Sequence, residues 1–174
     1  IDIAVNELDA LANIDFTTRT IKPELQKLNI VRLGTSGALQ ADIPVDSLVA
    51  STHGLGFDNL MNYYVHQKSA EEKAMMDAFL QHTQMNTDIT YIFKGSETLL
   101  SKFGDDFFKG ITVTAPGFYG PQGRELRLKS ETRKLIDDLS SYQYNQYRIT
   151  NFEMETSAIF GLGKLLGHEC MSIN

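Results

Sequence analysis

The sequence predicts an α/β fold: three layers, α/β/α, around a central mixed, mostly parallel sheet. Three observations carry this. Short β-rich runs alternate along the chain with apolar runs at helical spacing. Three segments that follow strands carry glycine, hydroxyl, amide, arginine or acid groups, which is how open α/β sheets keep their ligand groups. The 174 residues, 42% of them hydrophobic, suffice for one sizeable core and are short for two, so residues 1–174 read as a single domain.

Taking the elements in order, Ile1–Leu11 has helical apolar spacing with no cap before it, as though the helix began upstream. Pro23–Leu28 reads as a helix-like piece and Asn29–Arg32 as a short strand. That strand runs into Gly34-Thr35-Ser36-Gly37, a small-residue turn of the kind that presents backbone N–H groups to an anion. Arg32 beside it can add a bidentate clamp. A tight turn with a structural arginine fits the same residues. No lysine follows as in a nucleotide-triphosphatase loop, and the dinucleotide fingerprint is absent. Asp46–Thr52 reads as a buried strand and His53-Gly54-Leu55-Gly56-Phe57-Asp58 as a flexible turn, with His53 structural or exposed rather than a ligand contact. Met61–Tyr64 reads as an aromatic loop and a candidate interface. A helix is expected over Ala70–His82, with Ala74, Met75, Ala78 and Phe79 inward, followed by strands at Ile89–Phe93 and Gly110–Ala115.

The second of these strands leads into Pro116–Arg124. Here Phe118 can stack on a flat ring, Gln122 offers an acceptor and two donors, and Arg124 offers several donors with a fixed charge. A proline-pinned surface loop is the plainer reading. A helix is expected over Ser130–Leu139 and a polar aromatic connector over Ser141–Tyr147. Arg148–Phe152 reads as a strand and Ala158–Leu166 as a buried helix. Between them stand Glu153, Met154 and Glu155, the last by the helix N-terminus, where negative charge is favoured. Glu169–Ile173 reads as a further strand, so both ends look cut, as in the middle of a larger α/β domain.

Several function classes are disfavoured. A net charge of −6 from 16 basic and 22 acidic residues argues against broad attraction to nucleic acid or an anionic membrane. There is no HExxH, the four histidines lack ligand spacing, and no nucleophile elbow supports a Ser-His-Asp hydrolase; neither metal nor organic cofactor is expected. One cysteine, Cys170, suits a reducing compartment, and with no signal peptide or membrane-length apolar run the expectation is cytoplasmic.

Three chemically different segments remain: an anion nest, a heterocycle reader and a diol-binding acid, which together suit phosphate, base and ribose. At these residues the chain resembles the nucleoside phosphorylase family, which includes the hexameric purine enzymes, the nucleosidases and the uridine-cleaving enzymes. Arg32-Leu33-Gly34-Thr35-Ser36-Gly37 is similar to the family's phosphate turn, and Asn151–Ala158 resembles its ribose signature. Gly117–Arg124 points to the uridine-cleaving branch by its Gln-x-Arg, which the purine branch lacks, and Arg32 beside the turn argues against a nucleosidase, since water needs no arginine clamp. A purine phosphorylase and a nucleosidase of the same fold are the alternatives. The likeness covers essentially the whole chain but lacks the family's N-terminal glycine/arginine phosphate loop and its C-terminal flap.

The resemblance implies reversible phosphorolysis of uridine to uracil and ribose 1-phosphate. Arg32 and Thr35 would hold phosphate, and Met154, Glu155 and Glu153 would line the ribose, with Glu153 instead free to brace the loop or an arginine. Phe118, Gln122 and Arg124 would read the base. Arg32, Glu155 and Arg124 would be the catalytic groups. The resemblance further implies a homo-oligomer, a dimer or a hexamer built from dimers. A non-catalytic nucleoside-binding protein is the different-class alternative.

Overall fold

The computed structural model describes residues 1–85, 87–103, 106–131 and 133–174. Helix α1 (Asp2–Asn13) leads into a small hairpin, β1 (Ile14–Asp15) and β2 (Thr20–Ile21), then β3 (Asn29–Leu33) and β4 (Gly37–Ala38). Strand β5 (Val49–Gly56), α2 (Ala70–Thr83), β6 (Tyr91–Lys94) and α3 (Glu97–Leu100) follow. The rest is β7 (Phe108–Thr114), α4 (Arg133–Ser141), β8 (Gln143–Tyr144), β9 (Tyr147–Glu153), α5 (Thr156–Leu166) and β10 (Glu169–Ile173).

Among the described residues the main sheet has eight strands, in the order β3-β10-β5-β7-β9-β4, with β6 on β5 and β8 on β9. The pairs β3–β10, β5–β7 and β7–β9 are parallel. The pairs β4–β9 and β5–β6, and a single bridge between β10 and β5, are antiparallel. The sheet is therefore mixed, as expected. It is also curled. Laid flat, β3 and β4 would stand roughly 24 Å apart at the usual strand spacing. The step from Leu33 to Gly37 reaches only about 14 Å, so the two ends of the order must approach each other, and the Gly34–Ser36 turn spans the gap.

Helices cover both faces. On one, Val5 of α1 and Ile159, Phe160 and Leu162 of α5 pack with Tyr91, Phe93 and Cys170. On the other, Met75, Met76 and Phe79 of α2 and Leu135 and Leu139 of α4 pack on Leu55, Ile92, Ile111 and Ile149. Each such fully buried large side chain contributes about 1.5–3 kcal/mol. Ser69 caps α2 in a capping box with Glu72, whose carboxylate also holds Lys164 of α5 at 2.7 Å. No helix among the described residues is long and apolar enough to cross a membrane.

Five expectations need correction. Pro23–Leu28 is not a helix, because Asn13 holds it extended: its Oδ1 accepts the Gln26 amide and its Nδ2 donates to the Gln26 carbonyl. His53–Gly56 is strand, not turn. Gly54 and Gly56 are there because a Cβ at either would meet Ser157 Cα at 2.7 Å or the Tyr91 ring at 2.3 Å, so close packing rather than flexibility demands glycine. The inner face of α2 carries Met76, while Ala74 is exposed. Met61 is buried core in a 3-10 turn, Leu60–Tyr63, leaving Tyr63 outside. Finally, α4 starts at Arg133; Ser130 is outside it, donating to the Gly120 carbonyl, and Thr132 of the expected helix lies outside the described residues.

Candidate active site

The three segments singled out in the sequence meet in one cavity of about 340 Å³, lined by Arg32, Thr35, Ser36, Gly37, Phe118, Gln122, Arg124, Phe152, Glu153, Met154 and Glu155. The topology brings them together. Strands β7 and β9 are parallel neighbours ending at Thr114 and Glu153, and Ala115 N donates to Glu153 O, so the loop after β7 starts beside the acids that follow β9. The Gly34–Ser36 turn closes the third side, because β4 pairs with β9 at Phe152 and Asn151.

Arg32 is largely buried and carries three contacts. Its Nη2 lies 2.7 Å from Glu155 Oε2 and 3.4 Å from Glu153 Oε2, and its Nη1 donates to Asn174 Oδ1 at 2.5 Å. Gly34 makes room for it: a Cβ there would lie 2.5 Å from the guanidinium. Thr35 is exposed at the cavity wall.

The two acids differ. Glu153 is buried and its carboxylate is engaged on both oxygens: Oε1 accepts the Thr114 hydroxyl at 2.7 Å, and Oε2 accepts the amides of Glu155 and Thr156 at 2.8 and 2.9 Å. It thus caps α5 from within the strand, satisfying first-turn donors. Burial pushes its carboxyl above the ordinary range, against the Thr114 hydrogen bond, the Arg32 charge and the two amides, which all lower it. Glu155 keeps 35% of its side chain accessible, and among the described residues its carboxylate pairs with Arg32. Met154, 40% exposed, lies between them on the cavity wall.

The loop at Phe118–Arg124 is shaped by a 3-10 turn, Gly120–Gln122, with Pro121 in its first turn and Gly123 closing it at φ 70°. Arg124 N donates to Tyr119 O. The Arg124 guanidinium donates to Phe118 O and to Gln122 Oε1, and sits 4.0 Å over the Phe118 ring. One face of Phe118, expected as an open stacking surface, is therefore already covered by Arg124. Gln122 is buried, and its Nε2 has no hydrogen-bond partner among the described residues.

His53 is buried on β5 against the edge of the Tyr147 ring and does not line the cavity. Among the described residues no group of three or more His, Cys, Asp or Glu could hold a metal ion. Two contributors went unnoticed in the sequence. Asn174 reaches Arg32 only through the β3–β10 register, in which Ser172 faces Arg32. Phe152 adds a second ring 5.2 Å from the Arg124 guanidinium.

The sequence profile of the phosphorylase superfamily matches residues 10–174. A uridine phosphorylase from Thermococcus kodakarensis is 28% identical over 141 residues, which is 79% of this chain and 43% of that protein. The Trypanosoma brucei nucleoside phosphorylase, whose structure was described as showing uridine phosphorylase activity, superposes with a TM-score of 0.82 at 25% identity, covering 99% of this chain and 65% of that one. Isoform 2 of uridine phosphorylase from Schistosoma mansoni shares the fold, with a TM-score of 0.61 at 18% identity over 99% of this chain and 54% of its own. The chain thus spans less than half of the first relative and just under two thirds of the second.

Proposed function

The chain belongs to the phosphorylase superfamily, and on that premise we propose that it serves the reversible phosphorolysis of uridine to uracil and ribose 1-phosphate. The observation that carries the reading is the buried Gln122 Nε2, a donor without a partner among the described residues, in the same cavity as Arg32, Thr35 and Glu155. A buried donor lacking an acceptor costs about 1–3 kcal/mol, and a uracil carbonyl would supply that acceptor. Arg124, fixed by Phe118 O, Gln122 Oε1 and the Phe118 ring, has further N–H donors for the second carbonyl.

In this reading phosphate takes up Arg32 and Thr35, which hold one of its oxygens against the anomeric carbon; the gain is positional. Glu155, released from Arg32, accepts from the ribose hydroxyls over Met154. Its charge favours the positive charge that develops on the ribose as the C–N bond breaks. The bonding electrons leave with uracil, and Arg124 stabilises the charge gained there. Glu153 acts as the brace that sets Glu155 and the start of α5. We further propose self-association through the segment around Met61, supported by exposed Tyr63 and Val65 beside that buried anchor.

The test is an activity screen of the full-length protein with and without phosphate, using uridine, thymidine, inosine and adenosine. Phosphate-dependent release of uracil as the fastest reaction is the expected result. A purine nucleoside cleaved faster than uridine would replace the base assignment, and equal rates without phosphate would replace phosphorolysis by hydrolysis.

A further inference from the structure

A line of hydrogen bonds, with side branches to Ser172 at Asn174 and to Thr150 at Asn151, runs through the buried strands beneath the cavity and joins the two sides of the Gly34–Ser36 turn. It starts at Arg32 Nη1, which donates to Asn174 Oδ1 at 2.5 Å. Asn174 Nδ2 lies 3.2 Å from Ser51 Oγ, which lies 2.6 Å from Thr112 Oγ1. Thr112 Oγ1 lies 2.9 Å from Asn151 Oδ1, and Asn151 Nδ2 reaches Ser36 Oγ at 2.8 Å. Ser51, Thr112 and Asn151 are at most 1% exposed.

The direction of the line is set at its head. A guanidinium only donates, so Asn174 turns its oxygen to Arg32 and its NH₂ to Ser51. Ser51, having accepted, donates its one hydrogen to Thr112. Thr112 then donates to Asn151 Oδ1, which also accepts from Thr150 at 2.9 Å. This leaves the Asn151 NH₂ to face Ser36. Ser36 Oγ therefore accepts, and its own hydrogen has no acceptor among the described residues, while the residue lines the Arg32 cavity. A chain whose dipoles all point one way from a cation strengthens each successive donor.

We propose that the Ser36 hydroxyl is a further donor to the phosphate, and that Asn174, Ser51, Thr112 and Asn151 are positioning residues that hold Arg32 and Ser36 as one unit. The proposal rests on the phosphorolysis reading above. The line is cut most cleanly at Thr112, which is not among the residues lining the cavity.

The experiment is calorimetric titration of inorganic phosphate into the full-length protein, with parallel titration of uridine. Ser36→Ala and Thr112→Val are each expected to weaken phosphate about tenfold, as befits a lost charge-assisted bond. Thr112→Ser, which keeps the hydroxyl, and Ser36→Thr should stay within about twofold, as should uridine affinity throughout, since only the phosphate donors are touched. Equal phosphate affinity in Ser36→Ala or Thr112→Val overturns the proposal. So does equal weakening in Thr112→Ser, which keeps the hydroxyl: the effect would then follow any change of shape at this buried position rather than loss of the hydrogen bond. Should Thr112→Val lose cooperative unfolding, the Ser36→Ala and Ser36→Thr pair decides. Unmodified protein that binds no phosphate overturns the phosphorolysis reading together with the proposal, whereas binding that no variant weakens overturns the proposal alone.

Discussion

Arg32 Nη2 and Glu155 Oε2 are ion-paired at 2.7 Å, although 123 residues separate them. In the reading above the first belongs to phosphate and the second to ribose, so one ion pair joins the two subsites. In that proposed arrangement phosphate competes with Glu155 for Arg32, and its binding frees Glu155 for the sugar.

This pairing makes opposite predictions for its two ends. Arg32→Ala should raise the KM for phosphate more than tenfold with little change in uridine affinity, because a charged, bidentate donor is lost. Glu155→Gln keeps the size but removes the competing charge, so phosphate should bind a few-fold tighter while kcat falls at least tenfold. Steady-state kinetics with phosphate and uridine varied in turn, and phosphate titration of the Glu155 variant, check both. A kcat within twofold of the parent would remove Glu155 from the reaction.

Base choice is expected to reside in Gln122 and Arg124. Gln122→Ala removes the unpaired Nε2 and loosens Arg124, whose guanidinium it accepts from. The kcat/KM for uridine should fall by roughly ten- to a hundredfold, the cost of one or two buried hydrogen bonds. Adenosine, which offers an amino group where uracil offers a carbonyl, should be nearly unaffected. Comparing kcat/KM for the two nucleosides at saturating phosphate reads this directly.

Two glycines separate function from stability. Gly34→Ala places a Cβ 2.5 Å from the movable end of Arg32, so unfolding free energy should change by less than about 1 kcal/mol while phosphate KM rises severalfold. Gly54→Ala instead strikes the Ser157 backbone, with Cα at 2.7 Å and N at 2.9 Å. Strand β5 and helix α5 must then separate, at a cost of about 1–3 kcal/mol as in other overpacked cores. Urea unfolding beside phosphate kinetics distinguishes the two; equal destabilisation would place Gly34 in the fold rather than the site.

The pH dependence of stability should carry the signature of His53. Burial pushes its imidazole down from 6.5 to about 4. Above pH 6.5 it is neutral in folded and unfolded chains and adds no slope. Between pH 6.5 and about 4 the unfolded chain binds the proton first, so stability falls as pH falls, by ~3 kcal/mol at full extent. His53→Phe keeps a ring against Tyr147 and removes this contribution, so the variant should gain on the parent as pH drops through that window. Urea midpoints from pH 7 to pH 4 measure it; parallel curves would assign the acid sensitivity elsewhere.

The residues by themselves determined what depends on short range. Alternation marked the strands around Asn29, Gly110 and Arg148, spacing marked α2 and α5, and a reactive side-chain type beside a strand-ending turn marked Arg32, Gln122, Arg124 and Glu155. The reach of β5 through His53–Gly56 was not legible, because glycine looks like a turn until Ser157 and Tyr91 press against it. The division of labour between Glu153 and Glu155, two acids two positions apart, was left open. Only burial under Thr114 and the amides of α5 makes the first a brace and leaves the second to the cavity. Asn174 carries no local signal, and nothing in the Asn151–Ala158 stretch shows what the Asn151 side chain holds until the sheet order is known. Their partners lie 142 and 115 residues away, and such pairings are settled by strand register and sheet curl, which no local spacing encodes.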